Sequence, residues 1–112
     1  ELYNEVITKA GYEVELAVNG EEGFQKLQAG GYSLILLDMR LTDMSGVDVL
    51  AKLQNNPPNL PNGPVILLTN MEFDDEVKKG LENGANSYLV KADLTPEQLI
   101  TNIKKLLPVQ TT

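Results

Sequence analysis

The hydrophobic pattern of the chain changes several times between two periods. Three runs of strand length are almost entirely apolar: LILLD at 34–38, VILLT at 65–69 and SYLV at 87–90. Such runs are typical of parallel strands that are buried on both faces of a sheet. A fourth segment, YEVELAV at 12–18, alternates apolar with polar residues and predicts another strand.

Segments with a helical period lie between the predicted strands. Residues 1–9 predict the second half of a helix, and a charged segment at about 74–83 predicts another. Three more helices are predicted after residues that can cap a helix N-terminus, namely Asn19, Ser45 and Thr95. One helix followed by four strand–helix repeats predicts an α/β fold, a three-layer sandwich in which helices flank a parallel sheet.

Composition excludes several kinds of chemistry. The chain has 112 residues, which predicts one domain over 1–112, and it contains neither Cys nor His. Disulfides, thiolate metal sites and imidazole catalysis are therefore excluded. The net charge of −7 disfavours binding to nucleic acid, and no apolar run approaches the ~20 residues of a membrane helix. We therefore expect a cytoplasmic domain that binds neither nucleic acid nor a membrane.

Polar residues end three of the predicted strands, and these are Asp38, Thr69 and Lys91. The carboxyl ends of parallel strands lie at one edge of a sheet, where ligands bind, so we expect the three to converge. An aspartate there can attack phosphorus, with lysine and hydroxyl contacts to the phosphoryl oxygens and a cation such as Mg²⁺ on the remaining side. Taken singly, each has an ordinary interpretation: a turn residue, a strand hydroxyl and a solvated charge.

Three segments together resemble the receiver domain of two-component response regulators, the CheY-like fold. They are LILLDMRLTDMSGVDVL, PVILLTN and GANSYLVKADL, and the resemblance extends over essentially the whole chain. It implies that Asp38 is the phosphoacceptor, Thr69 the switch hydroxyl and Lys91 the lysine that contacts phosphate. Tyr88 matches the aromatic residue whose rotamer follows the switch hydroxyl, although an ordinary strand aromatic remains an alternative.

The same resemblance implies backbone contacts and partners. The amides of Arg40 and Asn70 would contact the phosphoryl group, and the metal, Mg²⁺, would be held by Asp38 and the carbonyl of Arg40. Gly46 matches the glycine that permits the turn after the acceptor strand. The expected partner is a sensor histidine kinase or a phosphotransfer protein.

The sequence departs from the family pattern at three positions within these motifs. Thr42 and Ala92 stand where the family usually has proline, and Asn70 stands where a small residue is usual. A cis bond before a residue other than proline costs about 2.5–4 kcal/mol, so we predict a trans peptide between Lys91 and Ala92. Asn70 narrows access to the acceptor, and we expect it to alter the lifetime of the phosphoryl group.

The largest departure is at the beginning of the sequence. The family's first strand, which ends in an acidic pair, would lie between 12–18 and 34–38, and the sequence starts inside the helix that follows it. We expect an N-terminally truncated receiver that lacks the remaining acidic metal ligands, binds Mg²⁺ weakly and accepts phosphate poorly. Two alternatives to truncation are four strands that close the gap and a homodimer that exchanges strands.

The favoured function is therefore a phosphoacceptor switch, in which any autodephosphorylation is regulatory and which is not an enzyme. The alternative is a receiver-like module that is not phosphorylated and binds protein partners. A phosphatase of the haloacid dehalogenase type needs a second aspartate two residues after the nucleophile, where this chain has Arg40. A flavodoxin-like redox protein would need a phosphate-binding loop, and the sequence contains none.

Overall fold

The computed structural model describes residues 2–70 and 74–107, with the side chain of Leu2 excepted. The chain divides into two compact units, one formed by residues 17–92 and one by the segments on either side of them. In the described part, the helices are α1 Leu2–Lys9, α2 Gly20–Ala29, α3 Gly46–Asn55, α4 Asp75–Glu82 and α5 Pro96–Leu106, and the strands are β1 Ile35–Asp38, β2 Val65–Thr69 and β3 Ser87–Val90. A short 3₁₀ turn covers Lys91–Asp93.

The three strands form one parallel sheet in the unit of residues 17–92. Their order is β1–β2–β3, with Asp38 opposite Leu68 and Thr69 opposite Val90. All five residues of the middle strand β2 are buried, as its uninterrupted apolar sequence requires. The predicted parallel sheet and its three strands are therefore confirmed. Burial of every residue is found only in β2, because β1 alternates between buried and partly buried residues and β3 is partly buried with Ser87 exposed.

The core of this unit lies between the sheet and three helices. α3 packs against both α2 and α4, and α4 contacts β2. Val49 and Val77 from the helices and Leu67 from β2 are fully buried in one cluster with Phe24 of α2. Ile66, which points away from this cluster, is also buried, so both faces of β2 are covered.

The predicted caps fix where the helices begin. The Asn19 side chain accepts a hydrogen bond from the Glu22 amide at 2.9 Å, at the start of α2. Ser45 and Asp48 bond reciprocally to each other's amides at the start of α3, and Thr95 takes the same role for α5. Because α3 starts directly after the loop that follows β1, its cap also fixes the end of that loop.

The second unit contains α1 and α5, which pack against each other. The hydroxyl of Tyr12 donates a hydrogen bond to the carbonyl of Leu107, just beyond the end of α5. Leu99 and Ile103 of α5 are almost completely buried, which agrees with an amphipathic helix. None of the helices in the described part of the chain is long and apolar enough to cross a membrane.

The strand predicted at 12–18 is wrong, because this described segment has no regular secondary structure. Leu16 is 46% exposed and Val18 is 78% exposed, so the apolar side chains of the alternating pattern are not covered. A strand forms only where a neighbour supplies ladder hydrogen bonds. In the resembling fold that neighbour is a strand before α1, and the described residues contain no such strand.

Candidate functional site

The register of the sheet brings the three polar strand ends together. Asp38 is the last residue of β1, Thr69 is the last residue of β2, and Lys91 directly follows β3. The ammonium group of Lys91 donates a hydrogen bond to Oδ2 of Asp38 and forms an ion pair with it. The Asp38 side chain is 34% exposed, so the carboxylate contacts Lys91 and is still accessible to a reactant. The predicted convergence is confirmed for Asp38 and Lys91.

A backbone donor holds the other oxygen of the same carboxylate. The amide of Arg40 donates to Oδ1 of Asp38 at 3.2 Å. Sequence reasoning placed this amide on the phosphoryl group, and the structure places it beside the group that would accept the phosphoryl. The two oxygens of Asp38 therefore have different partners, one ammonium and one amide.

A crevice opens beside the carboxylate of Asp38. Its volume is about 190 Å³, several times the ~30 Å³ that one water occupies in the liquid, so a phosphoryl group fits. The lining residues are Asp38, Met39, Arg40, Thr69, Asn70, Asp74 and Glu76. Four of these seven were predicted as site residues, and Thr69 among them is buried, with only 5% of its surface exposed.

Three lining residues were not predicted as part of the site, and two of them, Asp74 and Glu76, are acidic. Asp74 caps α4 by accepting from the Val77 amide at 2.9 Å, and Glu76 lies in the first turn of that helix. The sequence carried a signal for Asp74 as a helix cap. It carried none for the position of that cap beside Asp38, because the position depends on how α4 packs.

Tyr88 lies on β3 opposite Leu67 and is partly buried against the core cluster. Since Thr69 pairs with Val90 and side chains alternate along a strand, Tyr88 and Thr69 face the same side of the sheet. Among the described residues, Tyr88 is not part of the crevice lining. This placement suits both a switch aromatic and a core aromatic, so the switch role remains a prediction.

Gly46 allows the start of α3 to lie unusually close to Asp38 at the end of β1. A Cβ atom at this position would lie 2.4 Å from the carbonyl oxygen of Asp38. Its φ is not in the left-handed region, so the glycine is required by lack of space. The prediction that Gly46 permits the turn therefore has a specific physical reason.

The peptide bond between Lys91 and Ala92 is trans, as predicted. The chain turns there into the 3₁₀ segment Lys91–Asp93. Lys91 thus reaches Asp38 without the cis-proline that the family commonly has after this lysine.

The oxygen ligands that the described residues offer at the crevice do not form a set that would hold Mg²⁺ tightly. Among the described residues, no three carboxylates are arranged so that they could share a metal ion. Asp38 already accepts from Lys91 and Arg40, and Asp74 accepts from the start of α4. A hard cation prefers several oxygen ligands at once, and the described residues at the crevice do not provide such a set.

The fold and site define a class: an open parallel α/β domain with a carboxylate, a buried hydroxyl and a lysine at the carboxyl edge of its sheet. Residues 1–104 match the family described as response regulator receiver domain. The chain belongs to this family. The predicted resemblance is therefore confirmed.

Curated relatives extend well beyond the matched region. The transcriptional regulatory protein CusR of Escherichia coli K12 is 38% identical over 101 residues, which is 90% of this chain and 43% of CusR. The uncharacterised transcriptional regulatory protein YkoG of Bacillus subtilis is 39% identical over 97 residues, 87% of this chain and 41% of YkoG. The chain thus spans less than half of the length of these relatives.

Solved structures agree with the fold prediction. A CheY-like receiver domain protein from Methanospirillum hungatei superimposes with a TM-score of 0.79 at 30% identity, covering 94% of this chain and 82% of that one. The response regulator TrrA of Thermotoga maritima, solved in complex with Mg²⁺-BeF, gives 0.72 at 30% identity, with 95% and 87% covered. The α/β fold of the CheY-like, flavodoxin-like type is therefore confirmed.

Proposed function

We propose that Asp38 accepts a phosphoryl group from a phosphohistidine of a sensor kinase or a phosphotransfer protein. A carboxylate oxygen of Asp38 attacks phosphorus, a P–O bond forms, and the P–N bond to the donor imidazole breaks with its electron pair left on nitrogen. The product is an aspartyl phosphate on the receiver and a free histidine on the donor. The chain then acts as a switch and not as an enzyme, and loss of the phosphoryl group by hydrolysis is regulatory.

The proposal rests on one observation: each oxygen of the Asp38 carboxylate accepts from a different donor. Lys91 contacts one oxygen and the Arg40 amide contacts the other, next to a crevice of suitable size. A phosphoryl group on Asp38 adds negative charge at this place, and an ammonium and an amide are the groups that stabilise such charge. Thr69 supplies a hydroxyl in the same crevice.

The test is labelling by a small phosphodonor. We expect prolonged incubation with acetyl phosphate and excess Mg²⁺ to add one phosphoryl group to the chain, with peptide mapping that assigns it to Asp38. Absence of any labelling after long incubation would favour the alternative, a receiver-like module that binds partners without phosphorylation. A phosphoryl group on another residue would contradict the assignment of the acceptor.

Magnesium binding by this chain is proposed to be weak. The carboxylates near the crevice already bond to protein donors, and one carboxylate with a backbone carbonyl makes an incomplete ligand set for Mg²⁺. A titration followed by the amide NMR signals of Arg40 and Asn70 should therefore not saturate at low millimolar Mg²⁺. Saturation at micromolar Mg²⁺, with rapid labelling by acetyl phosphate, would show that the ligand set is better than these contacts suggest.

Lys91→Gln should slow labelling of Asp38 by about 10²-fold, the usual effect of removing one donor that stabilises developing charge. Lys52→Gln is the matched control, because Lys52 on α3 forms an ion pair with Glu21 on α2 at 3.0 Å. Both changes remove one lysine charge and one ion pair, and only the first touches Asp38. Equal labelling rates for the two variants would contradict a role for Lys91 in phosphoryl transfer.

Asn70→Ala should shorten the lifetime of the aspartyl phosphate. Asn70 lines the crevice. We expect its side chain to restrict the access of water and to offer an amide to a phosphoryl oxygen. Losing one such hydrogen bond corresponds to about a 2- to 10-fold faster hydrolysis. The decay of labelled protein, followed by intact mass, measures this, with Asn55→Ala at the end of α3 as the control. Unchanged decay would end the idea.

The partner follows from the same proposal. Histidine kinases and phosphotransfer proteins are the donors that fit an aspartyl acceptor. The homodimer with exchanged strands stays a prediction, which the molar mass in solution would test.

A further inference from the structure

A carboxylate outside the crevice connects the acceptor loop to another helix. Asp43 lies at the tip of the loop between β1 and α3. Its Oδ1 accepts from the Gly20 amide at 2.7 Å, and its Oδ2 accepts from the Glu21 amide at 3.0 Å. These are the first two amides of α2, which have no partner within their own helix.

The chemistry of this contact favours an ionised Asp43. Bonding to the Gly20 amide, with further bonds from backbone amides, lowers the pKa of Asp43 below its usual value of 3.8. The positive end of the helix dipole acts in the same direction. At neutral pH the carboxylate is therefore charged and accepts with both oxygens.

α2 thus has two separate caps at one end. Asn19, its sequence neighbour, bonds to the Glu22 amide at 2.9 Å. Asp43 takes the two preceding amides from 22 or more residues away. The local cap stabilises the helix, whereas the distant cap also ties the helix to the loop.

Packing beside the carboxylate makes the same connection. A Cβ atom on Gly20 would lie 2.3 Å from Cγ of Met44, so the residue after Asp43 rests directly against the α2 backbone. The loop therefore meets α2 through two consecutive side chains, one charged and one apolar.

Backbone hydrogen bonds continue from the loop tip to the acceptor. The Leu41 amide donates to the Met44 carbonyl at 3.0 Å, and the Gly46 amide donates to the Met39 carbonyl at 2.9 Å. Between them lies Arg40, whose amide bonds to Asp38 at 3.2 Å. The Arg40 amide therefore lies in a narrow loop whose tip is hydrogen-bonded to the start of α2.

We propose that Asp43 is a positioning residue for phosphoryl transfer, because it anchors the acceptor loop on α2 and so keeps the Arg40 amide on the carboxylate of Asp38. This inference rests on the proposed function of Asp38. It identifies α2 as a support of the acceptor site, although no α2 residue lines the crevice in the described part of the chain.

The test compares two variants that each remove one cap from α2. Asp43→Ala should raise hydrogen exchange at the Leu41 amide and slow labelling of Asp38 by about 2- to 10-fold, the effect of one displaced hydrogen bond. Asn19→Ala removes the local cap and should leave both the Leu41 exchange and the labelling rate close to wild type. Asp43→Asn keeps one carbonyl oxygen as an acceptor and should restore part of the rate.

Each outcome decides the proposal. Equal slowing in Asp43→Ala and Asn19→Ala would assign the effect to helix stability and overturn the positioning role. Unchanged exchange and labelling in Asp43→Ala would overturn it as well. If wild-type protein takes no label, the proposed function of Asp38 fails, and the exchange comparison still decides whether Asp43 anchors the loop.

Discussion

Asp38→Asn should abolish phosphoryl labelling and leave the stability of the fold nearly unchanged. An amide oxygen is too weak a nucleophile to replace the carboxylate, so labelling should fall below detection. The asparagine has the same shape, and its oxygen can still accept from the Arg40 amide. The variant loses the ion pair with Lys91, in which both side chains are partly exposed, so the free energy of unfolding should change by about 1 kcal/mol or less.

Two measurements on the same samples separate chemistry from stability. Intact mass after incubation with acetyl phosphate reports labelling, and urea denaturation reports the free energy of unfolding. Asp75→Asn is the matched control, because Asp75 lies in the first turn of α4 and is exposed. Labelling that persists in Asp38→Asn at the wild-type rate would place the acceptor elsewhere.

Sequence reasoning succeeded where the determining interactions are local or follow from the sheet itself. Ser45 was predicted to cap a helix, and in the structure it does so, with Asp48 completing a capping box. Asp38 and Lys91 are 53 residues apart, and they were predicted to meet because parallel strands end at a common edge. Neither prediction needed knowledge of how the helices pack.

The prediction of a strand at 12–18 failed because a strand is a property of a pair. The alternation of that segment is real, and Val18 is nonetheless 78% exposed. Apolar alternation states which side chains would be buried if a neighbouring strand existed, and it carries no information on whether one does. Predicting a helix from its pattern is more reliable, because the backbone hydrogen bonds of a helix form within the segment itself.

Long-range polar contacts made by loops and helix starts, in contrast, could not be predicted from the sequence. Nothing near Asp43 indicates that its carboxylate caps α2, since the amides that it binds lie 22 and 23 residues earlier. The two helix-start acids beside the crevice were missed for the same reason. Such contacts depend on where a loop lies after the core has packed, and no short spacing in the sequence encodes that position.

Gly46→Ala should destabilise the chain strongly, by about 1–3 kcal/mol or more, the range for extra atoms forced into a packed site. The new Cβ would lie 2.4 Å from the Asp38 carbonyl oxygen and 3.2 Å from the carbon of that carbonyl. A backbone group cannot rotate away as a side chain can, so either α3 or the end of β1 must move. Because Asp38 is the proposed acceptor, the same change should also slow its labelling.

Gly23→Ala is the matched control, because the same substitution is expected to have the opposite effect on stability there. Gly23 lies inside α2, and among the described residues a Cβ atom there would meet only the Ala17 side chain, at an ordinary 3.6 Å. Alanine in a helix interior is favoured over glycine by about 0.5–1 kcal/mol, so this variant should be stabilised. The same substitution should thus lower the free energy of unfolding at Gly46 and raise it at Gly23, as urea denaturation would measure. A stabilised Gly46→Ala variant would show that β1 and α3 can separate without loss, and the close approach would then have no structural role.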